Sequence, residues 1–359
     1  VINNKCFTEE WIKAKSAAIG SRNPVMLEKA TLALQLLGEL AECELQFQFK
    51  GGTSLLLRLN PIRRLSIDVD IVTQSSPGGL LKALKKICSN SLFTGYQHDA
   101  LRDKDLPPKK HFKVFYQSVI EPKQDHILLD VLFEKEPSPC CDSVLISTPF
   151  IETEREVFVS VPTVNSLLGD KLTAFAPNTI GILYNKSRKT DIVKQLFDVG
   201  ALFDAATDLD VVAEVYEYIH GKQIKYRNNA FTVVDTLNDT ITAGFLYTQL
   251  DLRGGIATEQ GVLLKEGVSS LQNHLINLPF NRDDARVAAG KAACLAAWIQ
   301  RRDTRLEPIP ELRFEMNRVS ELRDKQILAP WVPLNRLKGG NLEAFYYWYQ
   351  AQRILTAQC

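Results

Sequence analysis

The chain has 359 residues, of which 45% are hydrophobic and 24% charged, and a formal net charge of +1. That length suits two to three units of ordinary domain size. The near-neutral balance excludes a globally basic surface, so any nucleic-acid contact must use local patches. No apolar run is long enough to cross a bilayer. The polar, acidic stretch from Val1 to Glu10 lacks a signal peptide's basic start and apolar core, so the chain reads as soluble and cytoplasmic, with no membrane partner. The cysteines (Cys6, Cys43, Cys88, Cys140, Cys141, Cys294 and Cys359) are odd in number and scattered without a Cys-x-x-Cys spacing. They read as reduced thiols rather than as disulfides or a zinc site. The five histidines are equally dispersed and form no ligand pattern.

In chain order, Met26, Ala30, Leu34 and Leu37 recur at helical spacing, and Pro24 suits a first turn, which predicts helix up to about Cys43. The period then changes. Leu45, Phe47 and Phe49 alternate with Glu44, Gln46, Gln48 and Lys50, as in a half-buried strand. Gly51-Gly52 breaks that strand, and Thr53 is placed to cap a short helix over Leu55, Leu56 and Leu57. A second strand is predicted from Ser66 to Thr73, with Leu65, Ile67, Val69 and Ile71 on one face and Ser66, Asp68 and Asp70 on the other. Gly78-Gly79 opens a basic amphipathic helix through about Ile87. Further strands are expected at Phe112 to Val119, Ile127 to Phe133 and Val157 to Val161, punctuated by Pro107-Pro108 and Pro137 to Pro139.

After Pro162 the pattern becomes helical. Helices are expected at Asn165 to Phe175, Asp191 to Phe203, Leu209 to Tyr218, Thr258 to Asn273, Arg282 to Arg302 and Asn341 to Leu355. The fold class is therefore α+β: N-terminal helices over 1–43 packing on a small mixed-sheet core over 44–162, then a larger helical region over 163–359.

The chemistry begins with Asp68-Val69-Asp70. Residues i and i+2 of a strand share a face, so both carboxylates point together. Burying two like charges unpaired is costly, and a divalent cation with a preference for oxygen, Mg²⁺ or Mn²⁺, resolves it. The bland alternative is a solvated strand face. Upstream, Gly51 and Gly52 let a phosphate approach the backbone, and Thr53 and Ser54 add hydroxyl donors. Alone, that segment is an ordinary tight turn. Together the two elements supply a phosphate cradle and a metal clamp, the parts that nucleotidyl transfer from an NTP needs. Asp130 interrupts an apolar strand, where a charge needs a reason. It reads as a third metal ligand or a general base, with Glu134 as runner-up and Asp125 as a strand-entry residue. Of the basic residues nearby (Arg63, Arg64, Lys109, Lys110, Lys113, Arg188, Lys189 and Lys194), Arg64 lies closest to the site in sequence. The aromatic run Phe345-Tyr346-Tyr347-Trp348-Tyr349 reads as interface packing before base stacking. Lys171 lies among Leu167, Leu168, Leu172 and Phe175, where a lysine ordinarily snorkels to solvent.

The run Lys50-Gly51-Gly52-Thr53-Ser54-Leu55, followed by Arg64-Leu65-Ser66-Ile67-Asp68-Val69-Asp70, resembles the AbiEii/AbiGii toxin-type nucleotidyltransferases of the polymerase-beta-like superfamily. Leu65 stands where that family usually has an aromatic. Gly169-Asp170-Lys171-Leu172 is similar to a second family segment. Lys194-Gln195-Leu196-Phe197-Asp198-Val199 is similar to a third, with Gln195 replacing its first acidic residue. The resemblance covers residues 45–205. It implies that Gly51, Gly52, Thr53, Ser54, Arg64 and Ser66 bind nucleotide and that Lys171, from the helical region, neutralises its phosphates. Asp198 would orient Lys171 or touch the nucleotide. It also implies a toxin of a toxin–antitoxin or abortive-infection system, with a cognate antitoxin partner and the 3′ end of tRNA or another RNA as acceptor. Two other readings stand beside it: the same chemistry on a protein hydroxyl, and a nucleotide-binding module whose catalysis has lapsed.

Overall fold

The computed structural model describes residues 1–43, 45–90, 92–103, 107–135, 138–302 and 312–357. Glu44, Pro137 and Cys359, named above for a strand face, a punctuating turn and a thiol, lie outside the described residues. The chain divides into two compact units, Val1–Ser166 with Asn273–Pro279, and Leu167–Gln272 with Phe280–Cys359. The N-terminal helices therefore share a unit with the sheet. The segment from Asn273 to Pro279, expected to belong with the helices, is part of the first unit.

In the first unit, α1 (Glu9–Ala18) starts at Thr8, whose hydroxyl accepts from the Trp11 amide. Helix α2 (Pro24–Ala41) starts with Pro24 in its first turn, while Asn23 accepts from the Met26 amide. Both are ordinary N-terminal signals. The remaining elements are β1 (Phe47–Lys50), β2 (Val69–Thr73), α3 (Pro77–Asn90), β3 (Phe93–His98), β4 (Lys109–Gln117), β5 (Gln124–Phe133), β6 (Cys141–Leu145) and β7 (Phe158–Pro162). They form one mixed sheet of order β3-β4-β5-β2-β1-β7-β6, in which β2–β5 and β1–β7 are parallel. Phe49, Val69, Ile71, Phe112, Val114, Ile127, Leu129 and Val131 face a core shared with Leu27, Leu34 and Leu37 of α2. Alternation then turns Asp70 and Asp130 to the opposite face.

Three local outcomes differ from the sequence reading. Strand β2 begins at Val69 rather than Ser66, because the preceding backbone pairs elsewhere. The Leu65 amide donates to the His274 carbonyl (2.7 Å), and the Ile276 amide donates to the Arg63 carbonyl (2.9 Å). The segment after Gly52 is a five-residue 3₁₀ turn, Thr53–Leu57, and Thr53 does not cap it. Strands β3 and β6 were not anticipated: both lie at sheet edges, and neither alternates cleanly between buried and exposed residues.

The second unit is helical. It comprises most of α4 (Val164–Ala174), then α5 (Lys189–Ala205), α6 (Leu209–Arg227), α7 (Val233–Thr248), α8 (Glu259–Leu271), α9 (Arg282–Arg301) and α10 (Leu342–Thr356). Helix α7 was missed in the sequence. Alanine-rich α9 packs against α5, α7 and α10, and small residues permit close approach. A Cβ on Gly200 would stand 2.9 Å from that of Ala288. Phe345, Tyr346, Tyr347 and Trp348 are buried in this packing inside the second unit, where the sequence reading expected a domain interface. Asp239 of α7 accepts from the Asn178 amide and side chain (both 2.7 Å) and from the Thr179 hydroxyl (2.9 Å), fixing the turn after α4. Burial pushes its carboxyl above the usual range despite those donors. Among the described residues no helix is long and apolar enough to cross a membrane, and Cys6, Cys43, Cys88, Cys140, Cys141 and Cys294 are free thiols.

Helix α2 also anchors the β4–β5 hairpin. Glu28 accepts from the Ser118 hydroxyl (2.7 Å) and the Val119 amide (2.6 Å), and Lys29 pairs with Asp125 (2.9 Å). Asp125 is thus the strand-entry residue expected from sequence. Burial works to raise its carboxyl pKa, but the Lys29 ammonium and the His126 amide outweigh it and hold it below the usual range. A depressed folded pKa gives stability that is present above the unfolded value, about 3.9, and lost as pH falls through the folded value. Lys29→Met should therefore cost about 1–2 kcal/mol at pH 7. Urea unfolding of both proteins between pH 7 and pH 3 should show the gap closing at the acid end.

Candidate functional site

Strand register places four side chains in one row across adjacent strands. His111 on β4 pairs with Asp130 on β5, Asp130 with Asp70 on β2, and Asp70 with Lys50 on β1. Laterally paired residues project from the same sheet face, here the one turned away from the α2 core. Asp70 and Asp130 come from strands more than fifty residues apart in sequence and are set side by side by the parallel β2–β5 pairing. Carboxylates on neighbouring strands, roughly 5 Å apart, repel by about 3 kcal/mol at an effective dielectric near 20. That repulsion favours positive charge nearby: Lys50 stands in the same row, and Arg102 lies 3.6 Å from Asp130.

The glycine turn meets this row directly. Gly51 has φ +77°, and a Cβ built on it would stand 2.0 Å from the Asp70 Oδ2 and 2.7 Å from its Cγ. Only a glycine satisfies both the left-handed backbone and the approach of that carboxylate. Gly52 has an ordinary φ, yet its Cβ position lies 2.7 Å from the Arg64 Nη2 and 2.8 Å from the Ser66 Oγ. The two glycines thus carry a carboxylate against one and a guanidinium with a hydroxyl against the other. Arg64 is buried, with its Nη1 donating to the Leu65 carbonyl (3.2 Å).

Thr53 and Ser54 have a different task from the one expected. Both are fully buried. The Thr53 hydroxyl donates to the Asp68 carbonyl (2.5 Å), and the Ser54 hydroxyl to the Gly51 carbonyl (2.8 Å). Their hydroxyls tie the glycine turn to the entry of β2 rather than pointing outward as phosphate donors. Asp68 lies one residue ahead of β2 and is half-buried, as are Asp70 and Asp130.

Among the described residues no group of three or more His, Cys, Asp or Glu side chains is arranged to hold a metal. The expected set of Asp68, Asp70 and Asp130 is therefore not assembled as an all-protein cage. The donor chemistry fits a hard cation in another way. Mg²⁺ commonly takes one or two carboxylates and completes its shell with water and substrate phosphates, and the Asp70–Asp130 pair beside a glycine turn meets that pattern.

His111 is the residue that sequence reasoning missed. Its Nδ1 lies 2.6 Å from the Asp130 Oδ1, and Arg102 Nη2 lies 3.6 Å from Oδ2. The signal was present in the hairpin. Gln117 pairs with Gln124, and six residues back and six forward are His111 and Asp130. Glu134 falls just past the end of β5, its amide donating to the Thr73 carbonyl (3.0 Å). Lys109 and Lys113 alternate onto the His111 face, whereas Lys110 does not. Lys113 pairs with Asp99 (3.5 Å), Lys189 with Glu266 (2.7 Å), and Arg188 with Asp191 (3.5 Å).

The second unit holds its own charged group. Lys171 on α4 is 6% exposed and does not snorkel; its Nζ lies 3.0 Å from the Asp198 Oδ2 and donates to the Gln195 Oε1 (3.0 Å), both on α5. Asp198 is 1% exposed, so both ends of this contact are buried. Gln195 keeps an acceptor where the related pattern has an acid, and its own amide donates to the Asp191 carbonyl (3.2 Å).

Comparison with known proteins adds to this geometry. No curated protein matches the chain. A crystal structure of a Helicobacter pylori protein ascribed to the nucleotidyltransferases aligns at 13% identity and TM-score 0.43, covering 77% of this chain and 96% of that one. JHP933 from Helicobacter pylori aligns at 14% identity and TM-score 0.43, covering 79% and 96%. Both likenesses are too distant to carry an argument. The family described as "Nucleotidyl transferase AbiEii toxin, Type IV TA system" matches residues 35–329, more than half of the chain, so this chain belongs to the AbiEii nucleotidyltransferase toxin family.

Proposed function

We propose that the chain moves a nucleoside monophosphate from an NTP to an acceptor hydroxyl, with the 3′ end of tRNA or another RNA as the acceptor and a divalent cation as cofactor. The observation that carries this reading is the Asp70–Asp130 pair on adjacent strands, with the Gly51-Gly52 turn pressed against Asp70 on one side and Arg64 and Ser66 on the other. The acceptor oxygen forms a bond to the α-phosphorus, the bond from that phosphorus to the β-phosphate bridging oxygen breaks, and pyrophosphate leaves. The acceptor proton passes to a carboxylate of the Asp68, Asp70 and Asp130 set. Bound Mg²⁺ or Mn²⁺ would supply charge neutralisation there, held by Asp70 and Asp130 with Asp68 beside them. Arg64 and Ser66 face the phosphates across Gly52, while Thr53 and Ser54 keep the turn rigid. Positioning and electrostatics account for most of the catalysis at such centres. The growth-arresting role of a toxin, held in check by a cognate antitoxin, follows the same reading.

Labelled NTPs incubated with tRNA, total RNA and cell lysate test this directly. Label should enter RNA with Mg²⁺ or Mn²⁺, and Asp68→Asn with Asp70→Asn should reduce it by at least 10²-fold. Entry of label into polypeptide instead would reassign the acceptor, and growth inhibition that survives the double variant would point to a binding module.

Gly51→Ala forces a methyl into the Asp70 carboxylate and a strained φ on alanine. Transfer should fall roughly as far as for Asp70→Asn, with a stability loss of about 1–3 kcal/mol. Matching labelling and urea-unfolding measurements would check both.

The Lys171–Asp198 pair makes a separate prediction. Asp198→Ala strands a buried ammonium and should cost about 3–5 kcal/mol. Lys171→Met with Asp198→Leu removes both charges and should recover most of that stability. Transfer that stays lost in the recovered double variant would show a role beyond packing.

A further inference from the structure

We propose that His111 is a positioning residue for the metal-binding carboxylate Asp130, a role that rests on the metal-dependent reading given above. The imidazole is buried, 7% exposed, and its Nδ1 lies 2.6 Å from the Asp130 Oδ1. An ionised carboxylate can only accept, so Nδ1 carries the hydrogen in this bond. The backbone that carries this ring is held from several sides. The His111 amide donates to the Asp103 Oδ1 (3.2 Å), its carbonyl accepts from the Asp99 amide (2.7 Å), and its backbone is paired to β5 at Asp130 itself. Little freedom remains in the donor, and a fixed donor fixes the plane of the carboxylate that it grips.

The two oxygens of Asp130 are therefore unequal. Oδ1 is occupied by a buried, rigid partner. Among the described residues, Oδ2 faces the Arg102 guanidinium at 3.6 Å, beyond a good hydrogen bond, from a side chain that is 42% exposed. An incoming divalent cation can displace such a long, solvated contact at small cost, whereas His111 stays in place. The result is one oxygen presented beside Asp70 with its direction set before the ion arrives. Outer partners of this kind orient the ligand, and losing one typically costs roughly 10–100-fold in metal affinity or activity.

The test uses the full chain and measures Mn²⁺ alone, from the electron paramagnetic resonance signal of the free ion, beside NMP transfer and thermal melting. His111→Leu fills the buried space but donates nothing; it should weaken Mn²⁺ binding by roughly 10–100-fold and lower kcat with little change in the NTP KM. His111→Asn offers an amide donor at the position of Nδ1 and should recover most of both losses at a similar melting temperature. Arg102→Ala should leave Mn²⁺ binding unchanged or tighten it. Mn²⁺ affinity of folded His111→Leu within twofold of wild type overturns the proposal, as does an equal loss in His111→Asn or in Arg102→Ala, which would indicate a loosened hairpin. If the wild type binds Mn²⁺ no better than Asp68→Asn with Asp70→Asn, the metal reading itself fails and this role fails with it.

Discussion

The constraint on which the first unit turns is the placement of two carboxylates, Asp70 and Asp130, at matched positions on neighbouring parallel strands. Like charges set side by side on a sheet are destabilising, so a purely structural sheet would be expected to avoid the arrangement. Here it is enforced. The apolar residues flanking each acid, Val69 and Ile71 on β2 and Leu129 and Val131 on β5, are locked into the core, and alternation leaves the acids no other face. A slip of either strand by one residue would relieve the repulsion only by burying its acid and exposing its two flanking apolar side chains. Core burial is thus what holds the carboxylates together against their repulsion.

The same constraint explains the elements that carry no charge. Gly51 is where the β1 turn must pass a carboxylate oxygen at a distance that forbids a side chain. Thr53 and Ser54 convert that turn from a loose crossing into a tied one, by hydroxyl bonds to the carbonyls of Asp68 and Gly51. Helix α2 holds the far side. Glu28 and Lys29 grip the β4–β5 hairpin at its turn, and that hairpin fixes both Asp130 and His111. Stability and site geometry are therefore coupled through the strand pairs, and substitutions in α2 remote from the acids bear on where Asp130 points.

Much of this was legible in the sequence where the signal is local. The alternation over Phe47 to Phe49 and over Val69 to Ile71 gave the two central strands, and Asp130 stood out as a charge inside an apolar run. The α2 start at Pro24 was equally plain. What escaped was non-local or locally misleading. β3 contains Gly95 and a polar tip, and β6 is short and half exposed, so neither shows period-2 burial. α7 is rich in Val and Thr, which lower helix propensity, although its Thr232–Asp235 capping box marks its start. His111 looked like one of five scattered histidines because its meaning depends on hairpin register. The hydroxyls of Thr53 and Ser54 were read as donors to a ligand because nothing in a sequence shows which carbonyl a buried hydroxyl will find. The return of Asn273–Pro279 to the first unit depends on backbone bonds to Arg63 and Leu65 that no local pattern encodes.

The two charged groups of the chain differ in a way that bears on what each is for. Lys171 and Asp198 are one cation and one anion, both buried and in contact, with Gln195 adding a neutral acceptor. An acid at position 195 would leave it with a surplus negative charge; glutamine keeps the hydrogen bond without it. The β-sheet row is built differently, setting Lys50, Asp70, Asp130 and His111 side by side. Asp70 and Asp130 adjoin each other, Asp68 lies just ahead, and the cation beside Asp130 is a half-exposed arginine at 3.6 Å. Acids brought together by core packing, one of them 3.6 Å from an exposed guanidinium, are the feature on which the proposed cation site rests.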